Sequence, residues 1–174
     1  FSKITEGDFV NDQGSSLGSS WGDYDNDGFV DLFVANGQNQ SNFLYRNLGA
    51  GIFEKIIDDD IVKDKQFTFG SSWGDFDNDG YLDLFVANWQ NQNNSFYHNN
   101  GDGTFTKISS DIIVSDNGDS EGCSCADYDN DGDLDIFVAN YGGQADFLYN
   151  NDGNENHWLN VKCVGKESNR SAIG

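Results

Sequence analysis

The sequence predicts an all-β chain of three tandem four-stranded blades of the β-propeller type, and three observations carry that prediction. The block Asp-x-Asp-Asn-Asp-Gly-x-x-Asp begins at Asp23, Asp75 and Asp127, a constant period of 52 residues. Self-similarity at a fixed period marks an architecture in which one supersecondary unit is copied and stacked. Each period holds four short runs rich in Val, Ile, Phe, Tyr and Trp, bounded by Gly, Asn and Asp, which are strand signals. Four strands in roughly 40 to 50 residues is the size of a propeller blade. Helix has little support, because Gly, Asn, Asp and Ser interrupt every stretch long enough to hold one.

The units run over residues 1–52, 53–104 and 105–156, and residues 157–174 are expected to complete the last blade. In the first unit the expected strands are Gly18 to Asp23, Leu32 to Ala35, Phe43 to Arg46 and Ile52 to Ile57. The second run, Asp31-Leu-Phe-Val-Ala-Asn36, returns at Asp83 and Asp135, and its lack of alternation suits a strand buried on both faces. The third run recurs as Ser95-Phe-Tyr-His-Asn99 and Asp146-Phe-Leu-Tyr-Asn150. Gly49-Ala-Gly51 and Gly101-Asp-Gly103 read as hairpin turns, not phosphate loops, since no Lys or helix follows.

Phe1-Ser-Lys-Ile4 aligns with Phe53-Glu-Lys-Ile56 and Phe105-Thr-Lys-Ile108, so it is expected to be a surplus fourth strand without a blade of its own. His157 to Val164 falls in the fourth-strand slot of the last unit. A chain that opens inside a strand reads as a segment of something longer. Open strand edges are templates for pairing, and a head-to-tail contact generates a ring or an open filament. Two expectations follow: flanking blades in a larger propeller, or other copies of this chain adding to the edges.

Composition narrows the function classes. Hydrophobic content is only 36%, but 14 Phe, 7 Tyr and 4 Trp supply large buried areas and argue against disorder. The formal charge of −21 repels phosphate backbones and anionic membranes, so no nucleic-acid partner is expected. No apolar run is long enough to span a bilayer, so membrane insertion is not expected either. Cys123 and Cys125 replace Ser71 and Trp73 of the preceding copy and share one strand face, where a bridge between them would be strained. They read as buried thiols or, alternatively, one of them pairs with Cys163. Zinc is disfavoured for want of further Cys or His near them.

The 30 acidic residues include only five Glu, and 12 Asp occupy the four repeated acidic positions of the three blocks. Like charges about 4 Å apart repel by roughly 4 kcal/mol at an effective dielectric of about 20, so each block calls for a cation among its carboxylates. Hard cations take oxygen ligands, and Ca²⁺ accepts six to eight of them in a flexible cage, whereas Mg²⁺ demands a strict octahedron. Three Ca²⁺ sites are expected. The first is formed by Asp23, Asp25, Asp27, Asp31 and the carbonyl of Phe29. The second uses Asp75, Asp77, Asp79, Asp83 and the carbonyl of Tyr81, and the third Asp127, Asp129, Asp131, Asp135 and the carbonyl of Asp133. Gly28, Gly80 and Gly132 would permit the sharp reversal through a positive φ. An EF-hand starts alike but needs a bidentate Glu at its twelfth position, which here is Val34, Val86 or Val138. Ca²⁺ sites of this kind imply a calcium-rich environment outside the cytosol.

The stretch Gly22-Asp-Tyr-Asp-Asn-Asp-Gly-Phe-Val-Asp-Leu-Phe-Val-Ala-Asn36 resembles the FG-GAP/VCBS repeat of integrin α-subunit propellers and many secreted bacterial proteins. Asn42 to Phe53 is similar to the remainder of that repeat. Asn156 to Gly174 resembles the start of an ASPIC/UnbV segment. The resemblance implies blades with Ca²⁺ in the loop joining the first two strands, and secretion, adhesion or scaffolding without a shared catalytic activity. Such propellers close with about seven blades in that family, against three units here.

A non-enzymatic, extracellular calcium-binding module for adhesion or assembly is therefore the leading expectation. A carbohydrate-binding propeller is the alternative, with Trp89 and Tyr141 beside Gln38, Gln40, Gln90, Gln92 and Gln144 as the sugar contacts; the competing expectation packs those aromatics against the next blade. Catalysis is not expected, since no Ser/His/Asp or Cys/His arrangement occurs and His98, aligned with Arg46 and Asn150, reads as solvent-facing. Asn39, Asn93 and Asn169 stand in Asn-x-Ser sequons at about the frequency chance would give.

Overall fold

In each 52-residue unit a one-turn helical segment precedes a seven-residue strand, after which the chain folds back on itself. The computed structural model describes residues 1–154 and residue 156. In the first blade, β1 (Ser16–Gly22), β2 (Asp31–Asn36), β4 (Phe43–Asn47) and β5 (Phe53–Ile56) form an antiparallel sheet in that order, with β3 (Gln40–Ser41) lying in the loop between β2 and β4. The second blade repeats it with β7 (Thr68–Gly74), β8 (Asp83–Asn88), β10 (Ser95–Asn99) and β11 (Phe105–Ile108). The third contributes β13 (Ser120–Ala126), β14 (Asp135–Asn140) and β15 (Phe147–Tyr149). Two-residue pairs between blades, β3 with β6 (Lys65–Gln66) and β9 (Gln92–Asn93) with β12 (Asn117–Gly118), tie each inner loop to the segment entering the next unit. The all-β blades that the sequence predicts are present, with strand ends displaced by a residue or two.

Three differences stand out. Phe1 to Ile4 is not a strand: it lies exposed without a ladder partner, because no third strand of a preceding blade stands beside it among the described residues. One-turn helices, α1 (Asp8–Asn11), α2 (Asp60–Lys63) and a 3₁₀ turn at Ile112–Val114, occupy segments that sequence pattern alone leaves as loop. Asp59 and Asp111 cap the latter two by accepting from Ile61 N and Ile113 N. The fourth-strand slot from His157 to Val164, the ASPIC-like segment, Cys163 and the Asn169 sequon lie outside the described residues.

The core sits between blades, not within one. Tyr24, Phe33, Ala35 and Leu44 of the first blade meet Leu84, Val86, Tyr97 and Phe105 of the second, with Trp73 wedged among them. The Trp73 ring lies parallel to Tyr24 at 6.2 Å and edge-on to Phe33 at 6.4 Å. Phe76, Phe85, Ile136 and Val138 form the next core, packed by Cys123, Cys125 and Leu134. Inner strands approach so closely that a Cβ on Gly18 would stand 2.3 Å from the Phe69 carbonyl oxygen, which excludes any side chain there. Asn99 Nδ2 donates to Tyr24 O at 2.8 Å, and its counterpart Asn151 donates to Phe76 O at 2.7 Å, so one polar clamp recurs at both blade junctions. Among the described residues Cys123 and Cys125 form no disulfide.

Candidate metal centres

The three aspartate loops leave the inner strand at β1, β7 and β13 and re-enter the sheet at β2, β8 and β14, which puts all three at the same end of the stack of blades. Within each loop, backbone N–H groups fix the carboxylates. Asp23 accepts from Asp27 N at 3.1 Å and from Gly28 N at 2.9 Å, and Asp27 accepts from Phe29 N at 2.9 Å. Asp75 and Asp79, then Asp127 and Asp131, repeat this pattern. Gly28, Gly80 and Gly132 turn the loop with φ of +90°, +93° and +100°, as the reversal requires. Asn26, Asn78 and Asn130 are left-handed as well. Two of them bond across to the neighbouring loop, Asn26 Nδ2 to Gly80 O at 2.9 Å and Asn78 Nδ2 to an Asp133 carboxylate oxygen at 2.6 Å.

Asp23, Asp25 and Asp27 each bring a carboxylate oxygen within 4.8 Å of the others, and so do Asp75, Asp77 and Asp79, and Asp127, Asp129 and Asp131. The ninth residue of each block behaves differently. Asp31, Asp83 and Asp135 are almost wholly buried, and each spends both oxygens on backbone N–H groups. Asp31 accepts from Tyr24 N and Asn47 N, Asp83 from Phe76 N and Asn99 N, and Asp135 from Tyr128 N and Asn151 N. These aspartates pin the start of the loop to the end of the third strand. Asp83 also comes within 4.8 Å of Asp77 and His98. Phe29, Tyr81 and Asp133, whose carbonyls complete the expected ligand sets, each follow the left-handed glycine directly.

Burial, opposed by the two backbone donors and reinforced by Asp25 and Asp27, pushes the Asp31 carboxyl up to about 6. Burial does the same for Asp83, with Asp77 adding to it and the Asn99 and Phe76 N–H groups resisting, again to about 6. Burial and its acidic neighbours also raise Asp77 and Asp129. The Asp25 side chain is only 10% exposed, and its Oδ2 meets Arg46 Nε at 2.5 Å. An all-oxygen donor set of this kind fits a hard divalent cation. Three loops of this design, with Asp23, Asp25, Asp27 and their repeats as holders, would supply charge neutralisation when filled, not chemistry.

Sequence reading misplaced His98. Its Nδ1 lies 3.1 Å from Asp83 and 3.5 Å from Asp77, turned toward the acidic loop instead of solvent, because the third strand runs beside that loop. The aligned Arg46 likewise meets Asp25 and Asp27. A second repeated constellation went unread: Tyr45 OH and Lys55 Nζ both reach Asp12 at 2.6 Å, and Tyr97 and Lys107 converge on Asp64 in the same way. Tyr149 OH donates to Asp116 at the third position. The lysine holds the Asp12 carboxyl below its ordinary range, helped by Tyr45. The signal was available, since Asp12, Asp64 and Asp116 share the 52-residue period.

The amide-rich loops are mostly engaged internally. Gln40, Gln92 and Gln144 accept from Ser15 N, Phe67 N and Asp119 N, all near 2.9 Å. Trp89 packs edge-on against Phe67 and Phe69 at 5.2 and 5.7 Å, within its own unit. Tyr141 is 56% exposed. Burial pushes the Cys123 thiol up to about 12, with Cys125 adding to it, so it is no ready nucleophile.

A sequence model of FG-GAP-like repeats matches residues 23–86 and again residues 75–138, two thirds of the chain. The chain belongs to the FG-GAP-like repeat family. Cartilage acidic protein 1 of Xenopus tropicalis is 32% identical over 113 residues, which is 63% of this chain and 17% of that protein. The FG-GAP repeat chain thus spans about a sixth of that relative's length. No helix among the described residues is long and apolar enough to cross a membrane, a statement that leaves β-barrels aside.

Proposed function

We propose that this FG-GAP repeat chain is a non-enzymatic, extracellular module whose blades are set by three Ca²⁺ ions and whose end faces serve adhesion or assembly. The observation that supports the reading is the threefold carboxylate cluster, in which three aspartates of each loop bring oxygens within 4.8 Å of one another. Like charges this close repel unless a cation lies among them. The relative named for cartilage supports an extracellular setting. Assembly is supported by the two ends. Tyr128, Phe137 and Leu148 on the third blade are about half exposed, whereas Tyr24, Phe33 and Leu44 at the matching places are buried against the second blade. Trp21 on the first blade is 54% exposed, while Trp73 is packed inside. Each end therefore offers what the internal junctions consume, and a further blade, in a longer chain or another copy, suits both faces.

Calorimetric titration of chelator-stripped protein tests the ion: saturable Ca²⁺ binding at up to three sites is expected, and no saturable binding would contradict the proposal. A glycan-binding propeller is the second reading, favoured by exposed Tyr141 beside Gly142 and Gly143 but weakened by the engaged glutamines. Binding of a glycan array that is lost in Tyr141→Ala would favour it.

A further inference from the structure

One aligned position carries a different residue in each blade, Arg46, His98 and Asn150, and in the first two blades it meets the acidic loop. In the first blade Arg46 Nε lies 2.5 Å from Asp25 Oδ2 and its Nη2 3.7 Å from Asp27. The Nε contact is a close ion pair with a buried carboxylate oxygen. The Arg46 side chain is 40% exposed while Asp25 is 10% exposed, so the arginine covers a buried acid and has an open path to solvent. In the third blade Asn150 turns to Asp152 and Tyr128, and among the described residues no basic group lies within 4 Å of Asp127, Asp129 or Asp131.

We propose that Arg46 is a built-in counter-cation of the first loop, which makes the sites unequal: the first binds Ca²⁺ more weakly than the third, which has no resident competitor among the described residues. The inference rests on Ca²⁺ being the ion of these loops. A Ca²⁺ ion reaching Asp25 and Asp27 must displace the guanidinium or share the carboxylates with it, and either lowers affinity. In return the first loop holds its fold at calcium levels that leave the third loop dependent on its ion. A charge in contact with a carboxylate typically changes its affinity for a competing cation by tenfold or more, less where solvent screens it.

Calorimetric Ca²⁺ titration of three full-length proteins tests this: wild type, Arg46→Asn and Asn150→Arg. Arg46→Asn installs the residue that the third blade already carries, and is expected to tighten one of the weaker sites by about tenfold. Asn150→Arg is expected to weaken a different, tighter site by a similar factor. Unchanged affinities in Arg46→Asn, with saturable binding intact, would overturn the inference and leave the calcium reading standing. Absence of saturable binding in all three proteins would overturn the calcium reading itself, and this inference with it.

Discussion

The two blade junctions use the same polar clamp but different fillings. Between the first and second blades, Trp73 is held among Tyr24, Phe33 and Phe105, and Asn99 closes the contact through Tyr24 O. Between the second and third, Asn151 repeats the clamp on Phe76 O, but Cys125 stands where the tryptophan was, its Sγ near Trp73 O and Ser72 Oγ. Among the described residues a cavity of about 770 Å³ opens at this second junction, lined by Phe76, Phe96, Leu134, Ile136 and Tyr149. The contrast separates two jobs. Asparagine and close-packed glycine set the register of blade on blade, whereas the aromatic filling sets how much stability each junction contributes.

Substitutions at the two junctions sharpen this separation. Trp73→Ala should cost about 3 kcal/mol, measured by denaturant unfolding, because it removes a large, partly buried ring packed between two blades. A loss under about 1 kcal/mol would put the core elsewhere. Asn99→Ala leaves Tyr24 O and Leu82 O without their donor and should cost about 1–3 kcal/mol, with Asn151→Ala behaving alike. Cys125→Ala should cost about 1 kcal/mol or less, since the thiol fills the site only partly. If Cys125→Ala matched Trp73→Ala, filling would not distinguish the junctions.

A smaller effect separates the loops from the junctions by pH. Asp31 and Asp83 have folded values near 6, above the ordinary 3.8, so the metal-free fold holds protons there that the unfolded chain releases. Metal-free protein should therefore gain stability as pH falls from about 6 toward 4, by a few degrees in melting temperature. With Ca²⁺ present the trend should reverse, because protons displace the ion. Parallel melting curves at pH 7 and 5, with and without Ca²⁺, check the crossover; the same trend in both conditions would contradict it.

Much of the fold was legible because it is local and repeated. The 52-residue period marks every blade, and the strands and loops follow from short runs whose turn residues recur in phase. The acidic clusters were legible for the same reason: Asp23, Asp25 and Asp27 come together through one loop. What was not legible depends on neighbours distant in sequence. His98 meets Asp77 across the sheet, and period-two alternation says only which face it takes. The backbone task of Asp31, Asp83 and Asp135 leaves no mark in the sequence, where each reads only as a ligand. Phe1 to Ile4 has strand composition, yet a strand needs an edge to pair with, and composition does not supply one.

Thermal unfolding in about 1 mM Ca²⁺ against excess chelator at pH 7 is the most direct measurement of whether cations hold the aspartate loops. At a dissociation constant of about 0.1 mM, three ions contribute roughly 4 kcal/mol, which corresponds to a fall of about 10 °C on chelation. A melting temperature that does not move would mean that the clustered carboxylates are tolerated unaided and that the blades set without any ion.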